Sequence, residues 1–138
     1  MIIKDLEKLN EFEFLVQGDL NKEIKGCFIG DLLSWVMAKG QPGDAWVTVQ
    51  AHLNVVAVAL LREFSCLIIC DGASIAEETI EKCKEEEFTL IKTELSAYEV
   101  SKVLSKLLWY IMTFIYILVY HHALMMIWVQ TISLVWLT

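Results

Sequence analysis

Every Lys, Arg, Asp and Glu of this chain lies at or before Lys106, and from Leu107 to Thr138 only His121 and His122 have side chains that can take up a positive charge. One globular core cannot accommodate both parts. A folded surface needs polar residues spread along the chain, whereas an apolar run longer than the ~20 residues of a membrane helix has no polar face to turn toward water. The sequence is therefore read as two objects, a domain over residues 1–106 and an apolar tail over residues 107–138. The positive mean hydropathy of the whole averages the two and describes neither.

Residues 1–106 have the length of one small domain. Its 18 acids against 11 bases leave it net negative, and no Lys/Arg cluster offers a footprint for a phosphate backbone, which argues against nucleic acid as a partner. Met1 to Asp5 contains no apolar run behind basic residues, so no cleaved secretory leader is expected and the domain is expected in the cytoplasm. In a reducing compartment Cys27, Cys66, Cys70 and Cys83 are expected as buried free thiols. Cys66 and Cys70 flank Leu67-Ile68-Ile69 in an apolar run that reads as a strand, which places both on one face. Their spacing is not that of metal ligands, and CxxC is missing. No cofactor or metal is implied.

The elements alternate. Residues 2–9 carry Ile2, Ile3, Leu6 and Leu9 at helical spacing, and residues 12–16 read as a strand. A second strand is expected over 24–29, after which Asp31 is placed as the cap of a short helix bearing Leu32, Leu33, Val36 and Met37. Gly40-Gln41-Pro42-Gly43-Asp44 is the clearest turn. It leads into a β-rich run over 45–49, an apolar helix over 53–61 and a strand over 67–70. An amphipathic helix over 76–87 turns Ile80 and Cys83 inward, residues 89–91 form the last strand, and Ser96 with Glu99 matches the S-x-x-E capping box of a helix carrying Val100, Val103, Leu104 and Leu107. Strands separated by helices imply an α/β fold with a small, mostly parallel sheet covered on both faces.

In such sheets ligands gather beyond the carboxyl ends of the strands. The polar residues expected there are Asp31 and Ser34 after one strand, Gln50, His52 and Asn54 after the next, Asp71 after the third, and Thr93 with Ser96 after the fourth. They offer hydroxyls, amides and carboxylates suited to a phosphate-bearing or nucleotide-like ligand. The alternative is that they are caps and turns, which alone would account for Asp31 and Ser96. His52 fits the ligand reading best, because imidazole is neither a good cap nor a favoured turn residue.

Several stretches carry a family resemblance. Gly30-Asp31-Leu32-Leu33-Ser34-Trp35-Val36-Met37, the run from Gly43 to Ala59, Glu78-Thr79-Ile80 and Thr93-Glu94-Leu95-Ser96-Ala97-Tyr98-Glu99-Val100 resemble the stand-alone DRTGG-domain proteins. Such domains are similar to the amino-terminal domain of HPr kinase/phosphorylase and occur as regulatory inserts in some pyrophosphatases and phosphotransacetylases. The resemblance implies an accessory module for regulation or subunit contact, with no catalytic residues. The chain lacks the Asp-Arg-Thr-Gly-Gly string itself. It also lacks a G-x-x-x-x-G-K-[ST] loop, so a kinase activity has no phosphate-binding chemistry behind it.

Two accounts of the tail stand. As a protein segment it is long and apolar enough to span a bilayer, with Lys102 and Lys106 as a cytoplasmic flank. His121 and His122 would then lie near mid-membrane and, about 100° apart on a helix, would not converge on one metal. As nucleotides it reads differently. One base earlier, the codons for Phe114 to Ala123 permit His-Ile-His-Thr-Cys-Leu-Ser-Pro-Cys, those for Met125 to Trp128 permit Asp-Asp-Met, and Leu108-Trp109 permits a start codon. His-x-His with nearby Cys and acids resembles the metal-binding opening of PHP-type phosphoesterases, so the tail reads as a frameshift into an overlapping gene. None of those ligands exists in this polypeptide. The functional readings are a non-catalytic domain binding a protein partner or small phosphate-bearing ligand, a structural homodimerisation module, and a membrane-anchored form of either.

Overall fold

A computed structural model of the chain describes residues 1–136; Leu137 and Thr138, the end of the tail, lie outside the described residues. The elements are α1 (Lys4–Glu7), β1 (Glu13–Val16), β2 (Gly26–Ile29), α2 (Leu33–Lys39), β3 (Asp44–Thr48), α3 (Asn54–Leu61), β4 (Cys66–Ile69), α4 (Glu77–Glu85), β5 (Leu90–Lys92) and α5 (Ala97–Trp136). The chain divides into two compact units, one ending at Ser105 and one beginning at Lys106. The first holds a five-stranded sheet in the order β1-β5-β4-β3-β2. Strands β2 to β5 run parallel and only β1 is antiparallel, to β5. This is the expected α/β fold.

Register explains the two-sided core. Val16, Leu90, Leu67, Trp46 and Phe28 pair strand to strand and form one row across the whole sheet. Val36 of α2, Val55, Val56 and Ala59 of α3 and Cys83 of α4 pack over that row. One residue on, Phe14, Ile91, Ile68, Val47 and Ile29 form the opposite row. There Ile91, Ile68 and Val47 are fully buried, and so are Ile3 and Leu6 near the amino terminus and Val100 and Leu104 of α5, all outside the first cluster. With both faces covered, β4 reads as a continuous apolar run rather than an alternation. Trp46 is the largest buried side chain of the first row; its ring stacks on Phe64 with centroids 5.4 Å apart, and its indole N–H donates to the Gly30 carbonyl at 2.9 Å.

Helix ends account for most departures from expectation. Asp31 does not cap α2: the helix begins one residue after Leu32, without a side-chain cap bond, and the Asp31 carboxylate instead accepts from the Thr48 hydroxyl at 2.8 Å and the Val49 amide at 3.0 Å. Of the apolar residues assigned to that helix only Val36 is fully buried, while Leu32 is 68% exposed. The expected helix over 2–9 shrinks to one turn because Ile2 bridges to Glu23 and its amide is held by Asp5. Ser96 and Glu99 do form the reciprocal capping box, each backbone amide donating to the other side chain at 2.8 and 3.2 Å.

The same αβ corner occurs twice. After α3 the Glu63 amide donates to Leu60 and the Phe64 amide to Ala59; after α4 the Glu87 amide donates to Lys84 and the Phe88 amide to Cys83. These are paired Schellman bonds, with Glu63 and Glu87 in the left-handed region at φ 56 and 52° and the following Phe buried. Gly18 sits against the second corner, its amide donating to the Thr89 hydroxyl at 3.0 Å. A Cβ on Gly18 would lie 2.1 Å from the Glu87 carbonyl oxygen, which is backbone and cannot swing away. We expect Gly18→Ala to cost about 2 kcal/mol or more in denaturant unfolding.

Burial also fixes the thiols. Cys66 is fully buried and pushed up from 9.0 to about 12; Cys27, Cys70 and Cys83 rise to about 11, in each case chiefly by removal from water. Asp44 adds to the shift at Cys27, and Asp71 to that at Cys70. A two-unit rise lowers the thiolate fraction near neutrality about a hundredfold. Alkylation at pH 7.5 is therefore expected to be slow in the native protein and fast in denaturant. Because the folded thiols hold their protons above the unfolded value, their contribution is complete below pH 9.0 and is lost as pH climbs toward 11–12. Chemical denaturation between pH 8 and 11 should show stability falling across that interval.

Candidate functional site

Four parallel strands bring their carboxyl ends to one rim, where the loops follow the sheet order β5, β4, β3, β2. The half after β4 and β5 is tied by backbone: the Asp71 amide donates to Leu95 at 2.8 Å and the Gly72 amide to Thr93 at 2.9 Å. Asp71 takes a left-handed conformation at φ 56°, which Asp tolerates better than most residues. Thr93 is buried and its hydroxyl accepts from the Leu95 amide at 3.2 Å. With Ser96 in its capping box, the fold already uses the side chains of Thr93 and Ser96.

The half after β2 and β3 is braced from beneath. Thr48 donates its hydroxyl to Asp31 and accepts the Gln50 amide at 3.1 Å, while Thr79 of α4 donates to the Ala51 carbonyl at 3.0 Å. Buried polar groups need such partners, and these hold the loop backbone from 49 to 51 against β3 and α4. Above the brace, Ser34, Gln50, His52 and Asn54 make no side-chain hydrogen bond among the described residues. Ser34, His52 and Asn54 are exposed and Gln50 is half-buried. The structure thus places all eight predicted residues around one rim and divides them. Asp31, Thr93 and Ser96 serve the fold, Asp71 shapes a turn, and four keep unspent donors and acceptors.

Sequence reasoning missed the apolar part of this half. Trp35 is 56% exposed, beside Leu32, and Val49 and Leu53 are each 40% exposed. Trp35 occupies the residue before the buried Val36 in a seven-residue helix, so a helical wheel with Val36 inward would have turned Trp35 outward. The Lys39 ammonium stands 5.5 Å from the centroid of the Trp35 ring, and an exposed indole is a flat stacking surface of the kind that binds aromatic rings. Charge also divides the rim. The Glu94 carboxylate lies against Gly72, so Glu94 and Asp71 make the β4–β5 half the more acidic, whereas the β2–β3 half carries one carboxylate, Asp31, engaged by the Thr48 hydroxyl and the Val49 amide, beside neutral Ser34, Gln50 and Asn54. The open half can stack an aromatic ring and hydrogen-bond its edge; the acidic half repels phosphate.

No curated protein matches the chain. Among solved structures, the CBS and DRTGG domains of the regulatory region of Clostridium perfringens pyrophosphatase, in complex with the activator diadenosine tetraphosphate, are similar in fold. The TM-score is 0.59 at 20% identity, over 72% of this chain and 43% of that one, so the chain spans less than half of its relative's length. One family profile, that of the DRTGG domain, matches residues 13–107, from β1 into α5. The chain belongs to the DRTGG domain family.

Proposed function

We propose that residues 1–106 act as a non-catalytic regulatory domain that binds a small nucleotide-like, phosphate-bearing ligand at the β2–β3 half of the rim. One observation carries this reading: Ser34, Gln50, His52 and Asn54, without side-chain hydrogen bonds among the described residues, lie in the same segments after β2 and β3 as the exposed apolar residues Trp35, Val49 and Leu53. The base would stack on the indole while the amides and imidazole read its edge. A related regulatory region was solved with diadenosine tetraphosphate, which supports a ligand of this class. The acidic β4–β5 half puts the phosphates outward, toward solvent or a divalent cation. The similarity to the HPr kinase/phosphorylase amino-terminal domain fits the same accessory role, and a cytoplasmic homodimer is its simplest setting.

Diadenosine tetraphosphate binding to the full chain, in detergent and measured by calorimetry, tests this. We expect saturable binding, weakened about tenfold in His52→Ala and more in Trp35→Ala, the scale of one or two lost contacts. Thr93→Val, which alters a buried turn, should leave affinity unchanged in the folded fraction. Absence of saturable binding to the wild type overturns the ligand reading. A homodimer without ligand response would identify a structural module instead.

For the tail we propose the out-of-frame origin, supported by the codon pattern that runs from Leu108 through Trp128. The membrane reading rests on a different observation: α5 continues to Trp136, and its segment from Trp109 to Ile127 exposes large apolar side chains all round. Sequencing the source DNA across the codons for Ser101 to Thr138 separates the two. A shifted frame spelling the His-x-His opening behind its own start codon assigns the tail to a frame change. A confirmed frame predicts native protein that fractionates with membranes and resists carbonate extraction.

A further inference from the structure

The opposite, amino-terminal end of the parallel sheet holds a cavity of about 480 Å³, within the range of small-ligand sites. The two repeated αβ corners build it. Each delivers a buried phenylalanine immediately before a strand, and Phe64 and Phe88 both line the cavity, with Leu60 and Pro42 completing the apolar surface. Lys22 is fixed beside them. Its ammonium donates to the Phe64 carbonyl at 3.2 Å and stands 5.9 Å from the centroid of the Phe88 ring. An ammonium has three N–H donors, so two stay unspent on a group whose position the cavity wall already sets.

A second lysine is laid along the edge. Gly43 has φ +87°, and a Cβ there would come within 2.7 Å of Lys25 Cδ, so the glycine lets the Lys25 stem lie flat across the turn. Glu23 and Glu63 also line the cavity. Two lysines are thus balanced by two glutamates. Such a lining attracts a single anionic group beside the fixed ammonium and disfavours a polyphosphate, whose further charges would meet the carboxylates.

We propose that this cavity is a second ligand site, distinct from the rim, for a small carboxylate with an apolar body. The carboxylate pairs with the Lys22 ammonium and the body packs on Leu60 and Pro42, above the buried Phe64 and Phe88. The site is independent of the nucleotide reading, because it shares no residue with the rim and lies at the other end of the strands.

The test uses the full chain in non-ionic detergent, with 3-phenylpropionate as probe and the neutral 3-phenylpropanamide as its control, each titrated against a detergent blank. The acid is expected to bind saturably and about tenfold or more tighter than the amide, the ratio that one charge-assisted contact supplies. Lys22→Met should abolish that preference, while Trp35→Ala leaves it intact. Equal affinity for acid and amide in the wild type, or no saturable binding, overturns the proposal without need of a variant. Retention of the preference in Lys22→Met, with a native circular dichroism spectrum, overturns it as well.

Discussion

The stack of Trp46 on Phe64 sets the geometry of the rest. Trp46 lies in the row that crosses all five strands, and burying an aromatic of this size removes on the order of 200 Å² from water. Because Phe64 is also the residue that ends the first αβ corner, the packing of one ring fixes where α3 stops and β4 begins. The other end of the same indole reaches the Gly30 carbonyl and so holds the loop after β2. Two residues along β3, Thr48 holds Asp31 of that same loop. The rim is consequently an extension of the core: the segments that present Ser34 and His52 are positioned by groups that water does not reach.

Much of this was legible. The strands from β2 to β5, the buried α3 and the Ser96–Glu99 box follow from local patterns that the structure repeats nearly residue for residue. What escaped depended on groups distant in the chain. Asp31 looked like a cap because the sequence shows the helix next to it but not Thr48, its partner 17 residues on. The direction of β1 could not be read, since its mate β5 lies at the far end of the domain and a strand of only four residues, Glu13–Val16, fits either orientation. Trp35 was hidden by composition: in a short helix rich in apolar residues, hydrophobicity alone does not say which side faces the core.

Helix α5 displays the contrast on which the sequence reading turned. In its first turns Val100 and Leu104 are fully buried while Lys102 and Ser105 are exposed, the alternation of a helix lying on a core. Beyond Lys106 the polar phase disappears although the backbone stays helical. Helical geometry requires only tolerable propensities, and Leu, Ile, Met, Trp and Tyr all meet that condition. Amphipathicity is the stricter sign that a segment was shaped against a protein partner, and the tail lacks it.

The edge position of β1 bears on the order in which the domain assembles. Strands β2 to β4 each pair with a strand reached through a single helix, and the two Schellman corners are closed by bonds spanning only five residues. By contrast, Phe14 pairs with Ile91 and Gly18 with Thr89, and the latter bond closes a loop of 71 residues. Loop-closure entropy makes such a contact the more expensive to form early. The parallel sheet can therefore grow strand by strand, with β1 arriving last as the latch that ties the amino-terminal segment to the finished domain.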